Sequence, residues 1–355
     1  MVWGRSCCRE VLLFTVMVAV ESCLVGANTL FKAAKSHGLS NYVFMVYSSL
    51  ASTVFILPMA ILSYRRSVLP PFKVSFLYRM GLLALIEFFA MMLRLKGVEY
   101  ASPTLASALS NLIPAFTFIL AVIFRMEKVS LTSRSSQAKV MGTLVSISGA
   151  LVVVLYAGPA LIRPSSPSDP LDHVLMSQPS DSNHWVLGGL LLAVNWFLVS
   201  VWLIIQTSIV KEYPAEFVLV FFFNLLFSVI STPVCFIVEP ALNKWKLGAD
   251  MSLLAILFGG LAGHCLGAAV HTWGLHLKGP VYVASFRPLS IAIAAFMGVI
   301  CLGDTLYLGC VVGAITISMG FYAVIWGKAK EAKVEEYSEF CTLESPSPEN
   351  VPLLK

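Results

Sequence analysis

Residues 97–127 read GVEYASPTLASALSNLIPAFTFILAVIFRME, and 177 positions later residues 274–304 read GLHLKGPVYVASFRPLSIAIAAFMGVICLGD. Gly97 falls on Gly274, Pro103 on Pro280 and Glu127 on Asp304. Each segment contains an apolar run of about 20 residues, the length that crosses a hydrocarbon core as a helix. The same register continues on both sides. Ala19-Val20-Glu21 matches Ala193-Val194-Asn195 at an offset of 174, and Gly142 and Gly149 match Gly313 and Gly320 at 171. The offset shifts only between helices, where loops tolerate insertions. The chain therefore reads as a duplication.

Ten apolar runs are predicted to span: 10–30, 41–63, 76–97, 101–124, 139–157, 185–209, 215–238, 251–275, 280–302 and 306–326. They are continuous and lack period-two alternation, which selects helices over a barrel. Composition agrees. Charged residues make up 12% of the 355, against about 25% in a soluble domain, with 58% hydrophobic residues and a mean hydropathy of +0.83. Those figures exclude a disordered chain, a coiled coil, a secreted disulfide scaffold and an ordinary soluble enzyme. The expected fold class is an all-α polytopic membrane protein of ten transmembrane helices in two five-helix repeats. Five is odd, so the second repeat enters the membrane inverted, an arrangement typical of transporters with a site near the midplane.

The expected organisation is a cytosolic N-terminus at 1–9, a first repeat at 10–157, a linker at 158–184, a second repeat at 185–326 and a cytosolic tail at 327–355. The linker is rich in Ser and Pro, as in Pro164-Ser165-Ser166-Pro167-Ser168. The first run, with Glu21 inside it, is too long for a cleaved signal and is kept as a span. Sixteen of the 24 Lys and Arg fall on the side of the N-terminus. Seven (Lys32, Lys35, Arg94, Lys96, Arg163, Lys244 and Lys246) fall on the other, and Arg287 lies inside a helix. Basic residues collect in the cytosol, so both termini are placed there, and the net charge of +5 reflects this bias and not nucleic-acid binding. Of the eight cysteines, Cys7 and Cys8 before the first span are palmitoylation candidates, and none forms a metal-binding spacing. Gly259, Gly263 and Gly267, Gly309 with Gly313, and Ser102, Ala106 and Ser110 form four-spaced ridges that let helices approach closely.

Ionisable groups inside the bilayer are rare and commonly face a cavity or a partner. Glu21, Glu87, His264, His271 and Arg287 are such groups, and the duplication pairs Glu21 with Asn195, Glu87 with His264 and Ser110 with Arg287. Polar residues at matched depth in both halves suit a central site. Arg287 precedes Pro288 and carries a fork suited to a carboxylate. The alternatives are an ion pair with Glu21 or Glu87, or a side chain reaching toward the cytosolic face. Glu21 and Glu87 are proton-binding candidates. Asn28, Asn111 and Asn195 are candidate polar lining, and His264 and His271 read as hydrogen-bonded packing residues. No phosphate loop, nucleophile elbow or zinc-protease motif occurs, so neither ATP-driven pumping nor an enzyme is expected, and no cofactor or metal is called for. Apart from a transporter, a non-transporting membrane scaffold or sensor fits the same composition.

The run Ser107-Ala108-Leu109-Ser110-Asn111-Leu112-Ile113-Pro114-Ala115-Phe116-Thr117-Phe118 resembles the fourth-helix hallmark of the plant UMAMIT proteins. These are also known as nodulin-21-like or Walls-Are-Thin-related proteins, in the EamA branch of the drug/metabolite transporters. Phe124-Arg125-Met126-Glu127-Lys128, Gln137-Ala138-Lys139-Val140-Met141-Gly142-Thr143, Trp273-Gly274-Leu275-His276-Leu277-Lys278-Gly279-Pro280 and Leu302-Gly303-Asp304-Thr305-Leu306-Tyr307-Leu308-Gly309 resemble further signatures of that family. The likeness covers roughly residues 10–330. It implies two EamA repeats and a plasma- or vacuolar-membrane protein that exports or facilitates amino acids, auxin or related small metabolites. A nucleotide-sugar transporter is the alternative within the class. In the tail, Glu349 with Leu353 and Leu354 fits an acidic dileucine read by a sorting adaptor.

Overall fold

The computed structural model describes residues 2–66, 74–100, 103–127, 133–156, 159–162, 182–248, 250–297 and 306–344. The side chains of Cys7 and Cys8, most of the 158–184 linker, Asp304 and the Glu349–Leu354 signal lie outside the described residues. The chain is an all-α polytopic membrane protein. Its helices are α1 (Val2–Ser36), α2 (Asn41–Arg66), α3 (Val74–Tyr100), α4 (Pro103–Ser110), α5 (Ile113–Ile123), α6 (Arg134–Leu155), α7 (Ser182–Glu212), α8 (Glu216–Val238), α9 (Met251–Phe258), α10 (Ala268–Lys278), α11 (Pro280–Met297) and α12 (Leu308–Glu344). A π-helical segment, Gly259–Gly267, joins α9 to α10. Seven helical stretches are long and apolar enough to cross a membrane, and α5 and α11 are shorter apolar helices.

Several bounds differ from those expected. The first helix begins at Val2, and the last continues through Glu344, deep into the predicted tail. A two-residue contact of strands, β1 (Ala160–Ile162) with β2 (Leu306–Tyr307), pairs the linker's start with the chain just before α12. The fourth span, expected as one helix, breaks between Ser110 and Ile113. Pro114 explains the break. It has no N–H to give the Ser110 carbonyl four residues earlier, and its ring would clash with that oxygen. Proline is tolerated in the first turn of a new helix, where Pro114 sits.

Two spans composed of two helices each, α4 with α5 and α9 with α10, bring the crossings to ten. Their packing is symmetric. α1 packs on the α9–α10 span and on α11, and its counterpart α7 packs on α3 and on α5. α2 meets α8 and the α9–α10 span, while α8 meets α2 and α3. α5 packs on α11, and α6 on α12. Exchanging each helix with its partner in the other half returns these contacts, whereas the packing of α10 on α7 and α8 has no such counterpart among the main contacts.

The α6–α12 seam shows the two-fold at atomic detail. Gly142 and Gly313 are repeat equivalents, as are Gly149 and Gly320. A Cβ on Gly142 would lie 2.6 Å from the Gly320 oxygen, and one on Gly149 would lie 3.0 Å from the Gly313 oxygen. Each glycine thus faces the equivalent of the other, the self-complementary pattern of a two-fold contact. Only glycine lets the backbones come this close. Ser146 Oγ donates to the Ile317 carbonyl across the seam at 3.3 Å.

One end of this seam is closed by charge. Lys139, fully buried, bonds Glu127 Oε2 at 3.0 Å and Glu331 Oε2 at 2.8 Å, and Lys328 also bonds Glu127. Ser135 Oγ donates to the Gly327 carbonyl at 2.6 Å. At the end where the α1–α2 turn and the loop after α8 meet, Glu239 accepts from Ser40 Oγ at 3.1 Å and from Lys244. The Lys244 hydrogen bond, reinforced by that of Ser40, holds the Glu239 carboxyl below the ordinary glutamate range. Trp245 covers the spot, stacking on Phe236 with centroids 4.0 Å apart and donating to the Glu239 carbonyl.

Candidate functional site

The candidate residues converge between α1, α3, α7, α10 and α11. Glu21 on α1 is almost completely buried, and its Oε1 lies 3.0 Å from His271 Nε2 on α10. A carboxylate removed from water requires such a partner. Its hydrogen-bonding partner is thus His271 and not Arg287, although Arg287 remains within electrostatic reach of both Glu21 and Glu87.

Arg94 belongs to this cluster. Sequence reading places it among the bases outside the membrane, but α3 continues to Tyr100, so Arg94 lies about 9 Å before that helix end at 1.5 Å per residue. It is within electrostatic reach of Glu87, Arg287 and His264. Glu87 and Arg94 are seven residues apart on one face of α3. Both, like His264 and Arg287, are partly accessible and not sealed in the core. The Arg94 Nη2 contacts the Met91 sulfur at 2.8 Å, and among the described residues no carboxylate reaches salt-bridge distance of Arg94 or Arg287. The signal that finds Arg94 is the repeat itself: at the offset of 177 that joins Glu87 to His264, Arg94 falls on His271.

The α3–α7 contact therefore mirrors the α10–α1 contact. Gly274 on α10 faces Met17 on α1, with the Met17 sulfur 3.5 Å from where a Cβ would stand, and Glu21 meets His271 one turn further along. In the mirrored contact Gly97 on α3 faces Leu192 on α7, so closely that a Cβ would lie 2.7 Å from Leu192 Cγ. At the far end of this antiparallel pair, Arg79 bonds Glu212. That register sets Arg94 at the height of Asn195. Asn195 is almost completely buried, and its side-chain NH2 has no acceptor among the described residues.

His264 lies in the π-helical segment, a helix form frequent at functional sites. Asn224 Nδ2 on α8 donates to the His264 carbonyl at 2.9 Å and to Ser52 Oγ on α2 at 3.0 Å. Phe227 stacks beside the His264 ring at 6.5 Å and meets Phe88 edge-on at 6.5 Å. Nothing in the sequence marked Asn224. Ser110 and Asn111 lie at the break of the fourth span. Asn111 is fully buried there, and the first turn of α5 presents backbone N–H groups toward the break. Ser200 Oγ on α7 donates to the Ile113 carbonyl at 3.4 Å, tying the break to the helix that carries Asn195. Gln206 Nε2 donates to Thr272 Oγ1 at 2.7 Å, joining α7 to α10 beside His271. Asn28 is exposed on α1 and outside this cluster of contacts. Among the described residues no three His, Cys, Asp or Glu side chains gather as a metal site.

Comparison with known proteins agrees with this architecture. Residues 13–155 match the EamA-like transporter family. A WAT1-related protein of Arabidopsis thaliana is 51% identical over 329 residues, 92% of this chain and 89% of the relative. A second from the same plant is 48% identical across 93% of this chain and 92% of its own length. A third is 47% identical across 98% and 96%. A crystal structure of a protein 14% identical superposes with a TM-score of 0.67, covering 90% of this chain and 97% of that one, a likeness of fold alone.

Proposed function

The chain belongs to the WAT1-related family of EamA-like transporters, and on that premise we propose that it moves small polar metabolites, amino acids or related compounds such as auxin, by alternating access. One observation carries the reading: polar residues at equivalent positions of the two halves, Glu21 with Asn195, Glu87 with His264, and Ser110 with Arg287, converge on the helices that face each other across the pseudo-two-fold. A site made equally by both halves is what rocking one half on the other exposes first to one side and then to the other.

In this reading the halves span 10–157 and 185–326, both termini are cytosolic, and transport is export or facilitated movement at the plasma or vacuolar membrane. Arg287, Glu87, Asn111 and Ser110 line the path, and the Glu21–His271 bond sets the geometry beside it.

The test is an untargeted efflux screen by mass spectrometry on cells expressing the wild type or Arg287→Ala. Transport of a small metabolite by the wild type, lost in a variant that still folds, supports the proposal. Efflux equal to the empty-vector control for every amino acid, auxin and organic acid would instead favour a scaffold or sensor.

A further inference from the structure

The two mirrored contacts between the halves are satisfied differently. In one, Glu21 of the first half and His271 of the second satisfy each other. At the equivalent places of the other stand Asn195 and Arg94, set at one height by the Gly97–Leu192 and Arg79–Glu212 contacts. There the acid is missing. What remains is a guanidinium without a carboxylate at salt-bridge distance, and a buried amide with no acceptor for its N–H bonds. A buried donor left unmatched costs about 1–3 kcal/mol, so an unmatched amide at the height of a guanidinium that meets no carboxylate describes a site that awaits an acceptor.

We propose that Arg94 and Asn195 form the seat of the substrate's carboxylate. The substrate supplies to this contact the acid that Glu21 supplies to the mirrored one. The carboxylate takes two parallel hydrogen bonds from the Arg94 guanidinium and one from Asn195 Nδ2. Glu87, seven residues before Arg94 on the same face of α3, is the residue that meets an ammonium group of the same molecule. The seat therefore accepts simple carboxylates and accommodates amino acids, and it rejects the corresponding amides and esters. Chloride shares the charge but not the planar pair of oxygens.

This inference rests on the transporter reading, and binding separates the two. Purified full-length protein in detergent is titrated with glutamine, glutamate and indole-3-acetate, with their methyl esters, and with chloride. Thermal shift and calorimetry report binding, and proteoliposome flux is measured separately. Asn195→Glu rebuilds the missing acid within the chain, so its carboxylate occupies the seat. The expected result is an unchanged or raised melting temperature with carboxylate affinity lowered about 10- to 100-fold, the range for removing a hydrogen bond to a charged group. Arg94→Gln, the second variant, loses affinity to a similar degree, and Arg94→Lys keeps part of it. A folded Asn195→Glu or Arg94→Gln protein that binds a carboxylate as the wild type does overturns the proposal. So does a wild type that binds none of the carboxylates, or binds the esters or chloride equally well. Carboxylate binding with the expected losses but without flux supports the seat and counts against the transport reading alone.

Discussion

The Glu21 carboxylate lies 3.0 Å from the His271 ring, and both side chains sit almost wholly inside the protein between α1 and α10. The contact joins the first half of the chain to the second across 250 residues. Removing one member of such a pair is worse than replacing both, because the survivor is left buried without a partner. His271→Ala is therefore expected to destabilise the protein by about 3–5 kcal/mol, while Glu21→Gln with His271→Gln, which retains a hydrogen bond without charge, loses far less. Thermal melts of the purified variants in detergent separate these outcomes; equal losses would sink the account.

The α6–α12 seam leaves no room for a methyl group. A Cβ on Gly320 would fall 2.4 Å from the Ser146 nitrogen and 2.6 Å from the Gly142 oxygen. These are backbone atoms and cannot swing aside. Gly320→Ala is expected to cost about 1–3 kcal/mol, as overpacking does, or to prevent folding. Gly81→Ala, at a glycine with nothing within 4 Å, is the control and leaves stability and yield unchanged. Monodispersity by size exclusion and the melting temperature check both.

The buried Lys139 ammonium satisfies two carboxylates, Glu127 and Glu331, and Glu127 is shared with Lys328. Lys139→Met leaves Glu331 without this partner and Glu127 with Lys328 alone. The expected loss is about 3–5 kcal/mol. Adding Glu331→Gln recovers part of it, so the double variant melts above the single one. Strict additivity of the two losses would show that they do not interact.

Glu239 supplies a pH dependence with a definite sign. The Lys244 hydrogen bond, with that of Ser40, depresses its carboxyl in the folded protein. The unfolded chain therefore takes up the proton first. The stabilisation is present above the ordinary glutamate value of about 4.3 and is lost as pH falls through the lower folded value. Wild type is expected to melt above Glu239→Gln at pH 7, with the gap closing on acidification below about pH 4. The effect is small, since Lys244 is half exposed. A gap that widened on acidification would contradict it.

The hydrophobic runs, their number, the duplication and the matched polar residues were legible from residue order, because each depends on local composition or on comparing the chain with itself. A helix needs only its own apolar length to be assigned to the bilayer. Even the break in the fourth span has a local cause, since Pro114 has no N–H and its ring crowds the preceding turn. The π-helical segment did not announce itself, although the Gly259, Gly263 and Gly267 ridge marks the same stretch.

Partner choice was decided only in three dimensions. Which residue meets Glu21 depends on the depth and facing of α1 against α10, and His271, not Arg287, stands at the right height. Counting charges near helix ends puts Arg94 outside, whereas the length of α3 and its register against α7 put it at the height of Asn195. Such registers are set by glycine contacts between helices about 100 to 250 residues apart, Gly97 on Leu192 and Gly274 on Met17. Periodicity within one helix carries no information about the height at which another will stop. The sequence by itself determined a duplicated ten-span bundle; the tertiary structure decided that one of the two mirrored contacts between the halves satisfies its charge while the other leaves a cation and an amide open.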